Sequence, residues 1–233
     1  MTLHTNAQGQ PIGAPVPDWT GCAPIPHTPM LGRTCELVPL DTSHSADLHA
    51  AFSADTTGTL WTYMPVGPFK TTQDYAAWVA NACTSHDPLF FAVISKETGK
   101  ASGVASYLRI QPDNGVVEVG YITFSPALQR TPMATEAMYL MMKRAMGELG
   151  YRRYEWKCDA LNAPSRKAAE RLGFSYDGLF KQALVYKGRN RDTAWFSILD
   201  QDWPTLDARF KAWLHPDNFD DTGQQRSNLA DLT

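Results

Sequence analysis

The sequence predicts an α/β (α+β) fold built on a mixed central sheet with helices on both faces. Three strand-like runs joined by short turns, 89–94, 101–110 and 116–124, indicate an antiparallel meander. The third run is followed by a long helical segment and then by the alternating run 153–158. A strand, a whole helix and a second strand in this order predict one parallel βαβ crossover beside the meander.

The chain ahead of the meander is predicted to form an arm and the first elements of the domain. Residues 1–33 contain six prolines and no regular period, which indicates a Pro-rich N-terminal arm lying irregularly on the domain. A short strand over 34–40 and helices over 46–53 and 71–81 follow. We expect a single domain that runs from residue 34 to residue 214.

The segment 58–69 between the two predicted helices is aromatic and interrupted by glycine and proline, so it should be an ordered loop. Three of its aromatic residues, Trp61, Tyr63 and Phe69, could form the floor of a substrate pocket. The same residues could instead plug the hydrophobic core, and the sequence slightly favours that alternative.

The long helix after the third strand begins with a sequence suited to binding an anion. Thr131 is a good N-cap, and Pro132 fits the first helical position because its missing N–H would have no partner there. The backbone N–H groups of Met133, Ala134 and Thr135 would then point out of the helix end, where the helix dipole is positive. A phosphate would suit such an end, although an ordinary capped helix is the more common meaning of the pattern.

The C-terminal part of the chain is predicted to complete the sheet. Asn162 caps a shorter helix that Gly173 ends, and the run 184–199 contains a final hairpin. A terminal helix is expected over 204–214. The polar residues 215–233 are predicted to be a disordered tail.

Composition excludes several classes of protein. The net charge of −3 gives no basic footprint, which argues against nucleic acid as a partner. The four cysteines are widely spaced without histidines at metal-ligand spacing, so we expect no metal and a reducing compartment. The sequence shows neither a membrane-spanning run nor a signal peptide. We therefore expect a cytoplasmic protein, a monomer or homodimer, with no membrane partner.

Several short motifs occur together in a recognisable order. They are Val117–Tyr121 (VEVGY), Ala134–Ala137 (ATEA), Asn162 with Ser165, Arg171–Phe174 (RLGF), and Gly188 with Arg191 and Asp192. In this order, over roughly residues 33 to 203, the chain resembles the GNAT superfamily of acyl-CoA-dependent N-acyltransferases. The local matches point to its RimJ/RimL-like branch.

This resemblance implies a GNAT fold and acetyl-CoA as the acyl donor. It assigns the pantetheine arm and the thioester carbonyl to the main chain of Ile122, Thr123 and Phe124. It also places the coenzyme's pyrophosphate on the loop that runs from Gln129 through Thr131 to Ala134.

One position departs from the family pattern. Pro132 stands where the first glycine of the pyrophosphate loop belongs, which removes one donor and forbids positive φ. Because a proline in the first turn leaves the following N–H groups free, we still expect coenzyme A to bind. The side chain of Arg130 could meet a coenzyme phosphate.

The candidate catalytic residues are Glu118 and Ser165. Glu118 lies inside a mostly apolar strand, where burial would favour a general base; the alternative is an exposed acid near the strand end. The resemblance implies that Glu118 deprotonates the amine and also contacts substrate. It further implies that Asn162 holds the coenzyme and that Ser165 protonates the departing thiolate, whereas both residues could merely cap a helix.

We therefore predict an acetyl-CoA-dependent N-acetyltransferase that acts on a primary amine by direct attack on the thioester. The acceptor could be a protein N-terminus or a small-molecule amine, and its identity is open. The alternative is a catalytically weak acyl-CoA-binding module of the same fold with a sensing or assembly role.

Overall fold

The computed structural model describes residues 3–232, and this part of the chain forms an eight-stranded mixed sheet and a separate two-stranded hairpin. The first two residues of the predicted arm and the last residue of the predicted tail lie outside the described residues. The ten strands are β1 His4–Thr5, β2 Pro11–Ile12, β3 Met30–Leu31, β4 Cys35–Pro39, β5 Leu89–Ser95, β6 Ala101–Gln111, β7 Val116–Phe124, β8 Arg153–Asp159, β9 Ser175–Tyr186 and β10 Arg189–Leu199.

The strand order in the large sheet is β3-β4-β5-β6-β7-β8-β10-β9. Strands β7 and β8 pair in parallel, and the neighbouring pairs from β3 to β7 and from β8 to β9 are antiparallel. The predicted mixed sheet, with its antiparallel meander and single parallel crossover, is confirmed.

Five α-helices cover both faces of the sheet within the described residues. They are α1 Ser45–Phe52, α2 Thr72–Ala82, α3 Pro132–Met142, α4 Ala163–Arg171 and α5 Trp203–Leu214. Helix α3 continues as a π-helical segment through Lys143–Glu148. Sequence reasoning placed the starts of α2, α3 and α4 close to the observed caps. The cap residues, Thr71, Thr131 and Asn162, each accept a hydrogen bond from the backbone N–H three residues further on.

Two hydrophobic clusters lie on opposite faces of the sheet. The larger packs α3, α4 and α5 against inward residues of the strands such as Val117 and Val119. The smaller lies beneath α1 and α2, with Leu48 and Val79 fully buried. Because alternate residues of a strand face opposite sides, Glu118 on β7 lies on the face opposite Val117 and Val119.

The part of the arm from Trp19 onward lies against the domain and is fixed at particular points. Trp19 donates its indole N–H to the carbonyl of Asp113 (2.8 Å), and Ile25 is buried. Strand β3 at the end of the arm pairs with β4, which therefore does not form the sheet edge.

The prediction of a disordered tail from residue 215 is at odds with the structure. Leu229 is only 2% exposed and lies in the larger core cluster. Asn218 donates to the carbonyl of Trp213 (3.0 Å), and Phe219 packs edge-on against the Trp213 ring. A few apolar side chains spaced along a polar segment are enough to fold it back onto α5.

The final hairpin is longer than predicted. Strand β9 spans 12 residues, most of them exposed, so it lacks the alternation that marks a half-buried strand. No helix among the described residues has the length and apolar character required to cross a membrane.

Candidate active site

Strands β7 and β8 separate partway along their length. Their parallel pairing runs from Val116 opposite Arg153 to Val119 opposite Trp156 and goes no further. Beyond that point β8 pairs only with β10, while β7 pairs only with β6. The two neighbouring strands thus enclose a gap whose edges carry main-chain groups not shared between them.

A β-bulge shapes the β7 edge of this gap. In the register with β6, Gly120 is opposite Ser106 and Thr123 is opposite Val104, so Tyr121 and Ile122 have no partners. Tyr121 has φ +50°, an uncommon conformation for a non-glycine residue. Bulges re-aim main-chain groups, so Ile122 is well placed to bind an extended ligand in the gap.

The other two predicted strand residues are partly occupied by the protein itself. The carbonyl of Phe124 accepts a hydrogen bond from the Gln129 side chain (2.8 Å). The hydroxyl of Thr123 donates to the carbonyl of Tyr121 (3.2 Å). Gln129, predicted to bind coenzyme, therefore uses its amide to brace the end of β7.

The N-terminus of α3 offers fewer free donors than the sequence predicted. The N–H of Ala134 is capped by the Thr131 hydroxyl (3.2 Å), and the N–H of Thr135 donates to the Thr131 carbonyl (3.4 Å). Within residues 3–232, the N–H groups of Met133 and Arg130 have no hydrogen-bond acceptor. The expectation of three free amides is thus wrong for Ala134 and Thr135, because the threonine cap uses the donors nearest to it.

Arg130 provides a second donor in place of those two. It has φ +61°, and its side chain is exposed beside the helix end. Thr135 is buried, and its hydroxyl accepts from Arg171 (3.1 Å), which ties α3 to α4. The candidate phosphate site therefore consists of the N–H groups of Arg130 and Met133, the Arg130 guanidinium and the dipole of α3.

Asn162 and Ser165 lie where α4 begins, directly after β8. Asn162 caps the helix by accepting from the Ser165 N–H (3.2 Å). The Ser165 hydroxyl accepts a hydrogen bond from the indole N–H of Trp156 (3.0 Å), the last β8 residue that pairs with β7. Because the Ser165 oxygen is the acceptor in this bond, its O–H is left to donate, and the Cys158 sulfur is one acceptor beside it.

Cys158 is buried near Ser165. Burial raises the pKa of its thiol, and the Ser165 hydroxyl offsets only part of that increase. A thiolate nucleophile is therefore disfavoured here, and Cys158 is a residue of the larger core cluster.

Glu118 is 4% exposed and belongs to a charge network in which the side chains of Lys157 and Glu155 are also buried and that of Arg109 is half exposed. Its Oε2 atom pairs with the guanidinium of Arg109 and with Lys157 Nζ (2.9 Å). Lys157 also pairs with Glu155 (2.7 Å). The predicted alternative of an exposed acid is wrong, because the neighbouring strands place two cations over the carboxylate.

The second oxygen of Glu118 has no hydrogen-bond partner within residues 3–232. A Cβ built on Gly120 would lie 3.6 Å from this Oε1 atom and 2.9 Å from Leu108 Cδ2. The free oxygen thus lies beside Gly120, where β7 leaves β8, and Leu108 packs close to the same position.

A cleft of about 280 Å³ opens on the same face of the sheet as Glu118. It is lined by Arg109, Lys157, Phe180, Ala183, Leu184, Arg191, Thr193 and Trp195. Sequence reasoning placed Arg191 in a family motif and assigned no role to the other residues of this lining. The signal available was the charged Lys157 at the same strand parity as Glu155, between the apolar Trp156 and Cys158.

The aromatic loop 58–69 reaches across to this side of the molecule. Tyr63 donates its hydroxyl to the carbonyl of Leu161 (3.2 Å), and Lys187 donates to the carbonyl of Trp61 (2.7 Å). The side chains of Trp61 and Phe69 instead pack against each other within the smaller core cluster. Of the three predicted substrate residues, the structure places Tyr63 beside the gap and uses Trp61 and Phe69 as the core plug that the sequence favoured.

Two parallel strands separate here, and the N-termini of two helices lie at the opening between them. This arrangement defines a class of proteins that bind an extended, phosphate-bearing ligand between the two strands. The chain matches the family model described as acetyltransferase (GNAT) domain over residues 35–175. The chain belongs to this family.

Individual relatives agree with this assignment. The chain is 45% identical to a GCN5-related N-acetyltransferase from Brucella melitensis, whose crystal structure matches with a TM-score of 0.91 over 93% of this chain and 99% of that one. It is 27% identical over 144 residues to the uncharacterized N-acetyltransferase p20 of Bacillus licheniformis, a match that covers 60% of this chain and 80% of that protein.

A RimL ribosomal L7/L12 alpha-N-protein acetyltransferase, solved in complex with coenzyme A, shares the fold. The identity is 21% and the TM-score 0.60, over 75% of this chain and 97% of that one. The predicted GNAT membership, with RimL proteins among its structural neighbours, is confirmed. The chain is an acetyl-CoA-dependent N-acetyltransferase, and its donor is acetyl-CoA.

Proposed function

We propose that this enzyme transfers the acetyl group to a primary amine by direct attack, with the acyl donor lying between β7 and β8 and the acceptor entering from the cleft on the Glu118 face. The observation that carries the proposal is the end of strand pairing at Val119 and Trp156. A gap open to both faces lets donor and acceptor meet there from opposite sides.

The residues present fit the coenzyme. The main chain of Ile122, with Thr123 and Phe124 beside it, binds the pantetheine arm along the β7 edge. The N–H groups of Arg130 and Met133, assisted by the Arg130 guanidinium, bind the pyrophosphate. Asn162 contacts the coenzyme from the start of α4. When bound, the coenzyme supplies an acetyl thioester that is activated toward an amine.

Glu118 is proposed to bind the acceptor amine and to accept its proton. The two cations hold its Oε2 atom, so the carboxylate is fixed in place while Oε1 remains free toward Gly120. A base must lie within hydrogen-bonding reach of the proton that it removes, and this oxygen is the acidic group that faces the gap.

Ser165 is proposed to donate a proton to the leaving sulfur. The Trp156 indole N–H fixes the Ser165 oxygen and leaves its O–H to point elsewhere. Such a donor offsets the negative charge that forms on the leaving group.

A thiol-release assay with acetyl-CoA and a panel of amines tests these roles. We expect Ser165→Ala and Glu118→Gln each to lower kcat by roughly 10²-fold while acetyl-CoA binding stays within a few-fold of wild type. The loss of kcat in Glu118→Gln should become smaller at high pH, because the amine then loses its proton to water. A purely structural role for Glu118 would leave the deficit independent of pH.

Matched controls are Ser53→Ala and Glu97→Gln, which alter exposed residues far from the gap. Both should behave as wild type. If acetyl-CoA binds and no amine raises thiol release above background, direct transfer to a primary amine is excluded for this chain.

We further propose that the enzyme works in the cytoplasm, as a monomer or homodimer. Its four cysteines are free, which suits a reducing compartment.

A further inference from the structure

The cleft on the Glu118 face is lined by three cations, Arg109, Lys157 and Arg191, and by uncharged residues. No carboxylate among the described residues forms part of this lining. A polyamine would enter a lining whose charged side chains are all cationic, with no carboxylate among them to bind its ammonium groups. The lining therefore favours an occupant that carries negative charge.

Two of the three cations, Arg109 and Lys157, are already paired with carboxylates. The charges behind the cleft form a closed set of three cations and three acids: Arg109, Lys157, Arg153, Glu118, Glu155 and Asp177. Arg191 lies outside this set. Within residues 3–232, no carboxylate lies within ion-pair distance of its guanidinium.

The acids nearest to Arg191 in the fold are occupied by other donors. Asp192 follows it in the chain and accepts from the Gln182 N–H (2.8 Å) and the Asn190 amide (2.9 Å). Asp159, opposite Thr193 in the sheet, accepts from the Tyr186 hydroxyl and the Leu161 N–H, both at 2.9 Å.

The guanidinium of Arg191 is held in position with donors to spare. Its Nε donates to the Thr193 hydroxyl (3.2 Å), and its plane lies 5.8 Å from the centre of the Tyr186 ring. The terminal nitrogens remain free, and two adjacent N–H groups of arginine match the two oxygens of a carboxylate or phosphate.

The rest of the cleft presents an apolar wall. Phe180 and Trp195 stack with their ring centres 4.4 Å apart, and Lys157 lies 3.7 Å from the Trp195 ring. A volume near 280 Å³ is at the lower end of the range for small-molecule pockets, so the occupant is small.

We infer that the acceptor of this enzyme is a small amine that also carries an anionic oxygen group, carboxylate or phosphate, and that Arg191 binds this group in the cleft. The inference rests on the proposed entry of the acceptor from the Glu118 face. In this arrangement the anion at Arg191 orients the molecule so that its amine faces the free oxygen of Glu118.

The test compares amines that differ only in their anionic group. Phenylalanine and alanine are each paired with their α-carboxamides, and phosphoethanolamine is paired with ethanolamine. In the wild type, kcat/KM should be on the order of tenfold higher for the anionic member of at least one pair, the effect expected for one charge-assisted hydrogen bond. Whether carboxylate or phosphate pairs show the effect distinguishes the two anions. The carboxamides have the more easily deprotonated amines, so amine basicity cannot explain a preference for the carboxylates.

Arg191→Gln should abolish this preference, chiefly through KM, and Arg191→Lys should retain part of it. Arg189→Gln, an exposed arginine of the same strand, is the matched control and should keep the preference. Acetyl-CoA affinity should be unchanged in all three variants, because the cleft lies on the face opposite Val119 and the core under α3. A weakened acetyl-CoA affinity in Arg191→Gln would assign Arg191 to the donor site and overturn the inference.

A binding measurement separates this inference from the proposed function. Isothermal titration with N-acetylphenylalanine and with its amide requires no turnover. Binding of the acid alone, lost in Arg191→Gln, supports the anion site even if no amine is acetylated. Equal binding of acid and amide, or a wild-type preference for spermidine over every anionic amine, overturns it even if acetyl transfer is observed.

Discussion

At the scale of single residues, buried charges in this protein are stable because each is given specific partners. Glu136 on α3 is 5% exposed and accepts hydrogen bonds from the N–H groups of Arg33 (2.6 Å), Thr34 (2.7 Å) and Cys35 (3.2 Å). The Thr34 hydroxyl also donates to it. Glu136 thereby fixes the turn between β3 and β4 to the central helix.

The acidity of Glu136 makes this anchor sensitive to pH. Burial acts to raise its pKa, but the hydrogen bonds from Thr34, Arg33 and Cys35 outweigh burial and hold the pKa below the ordinary value of 4.5. Its contribution to stability is therefore complete above pH 4.5 and is lost as the pH falls through the lower folded-state value.

We predict that Glu136→Gln lowers the free energy of unfolding by about 1–3 kcal/mol at neutral pH, because a buried N–H loses its acceptor. The deficit should shrink as the pH falls from 4.5 through the lower folded-state pKa, since wild-type Glu136 becomes protonated over that range too. Urea unfolding across this range measures both effects. Glu148→Gln, half-exposed and paired only with Arg144, is the control and should change stability by no more than about 0.5 kcal/mol. A deficit that stays constant with pH would contradict this account.

At the scale of elements, the start of α3 shows how one cap changes the chemistry of a helix end. The Thr131 side chain and carbonyl take the N–H groups of Ala134 and Thr135, and Pro132 has none to give. Only the Met133 N–H of this first turn remains without a partner within residues 3–232. In the proposed mode of coenzyme binding, the diphosphate would therefore meet fewer main-chain donors than a glycine loop would supply.

We predict that Pro132→Ala tightens acetyl-CoA binding by about tenfold, because it adds one N–H that points toward an anion. Calorimetric titration of acetyl-CoA measures this directly. Pro29→Ala, which alters a proline in the arm, should leave the affinity unchanged. If Pro132→Ala instead weakens acetyl-CoA binding, the fixed φ of proline favours binding more than its missing N–H disfavours it.

The element that sequence reasoning described least well is β9. Its exposed apolar residues, including Leu179, Phe180 and Val185, do not alternate with the polar ones. The strand forms because β10 provides a partner along its length, with irregularities near Arg191 and Trp195. Such long-range pairing cannot be inferred from local periodicity.

At the scale of the whole molecule, segments near both ends of the described chain pack against the domain. Trp19 joins the arm to the turn before β7, and Arg144 donates to the carbonyl of Pro29 (3.0 Å). Leu229 closes the opposite end beneath α5. The ends therefore contribute to the stability of the sheet that carries the site.

We predict that Leu229→Ala lowers the free energy of unfolding by about 2 kcal/mol, near the lower limit for buried leucines because a chain end can relax around the lost volume. This corresponds to a fall in Tm of roughly 4–8 °C for a domain of this size. Val185→Ala, at a side chain that is 80% exposed, should change Tm little. An unchanged Tm in Leu229→Ala would show that the tail is not part of the folded domain.

The sequence by itself determined the order of the elements and the helix caps at Thr71, Thr131 and Asn162, because periodicity and capping depend on residues close together in the chain. Its short motifs, taken in order, also carried the resemblance to the GNAT family that the comparisons confirmed. The tertiary structure decided which of the indicated groups are free. In the folded chain the Gln129 amide and the N–H groups of Ala134 and Thr135 are hydrogen-bonded to neighbouring residues. The side chains of Trp61 and Phe69 pack in the smaller core cluster. Three cations from separate strands, Arg109, Lys157 and Arg191, meet in one cleft. Which hydrogen-bonding groups of a site are free, and what net charge the site carries, depend on contacts between distant segments. Only folding brings those segments together.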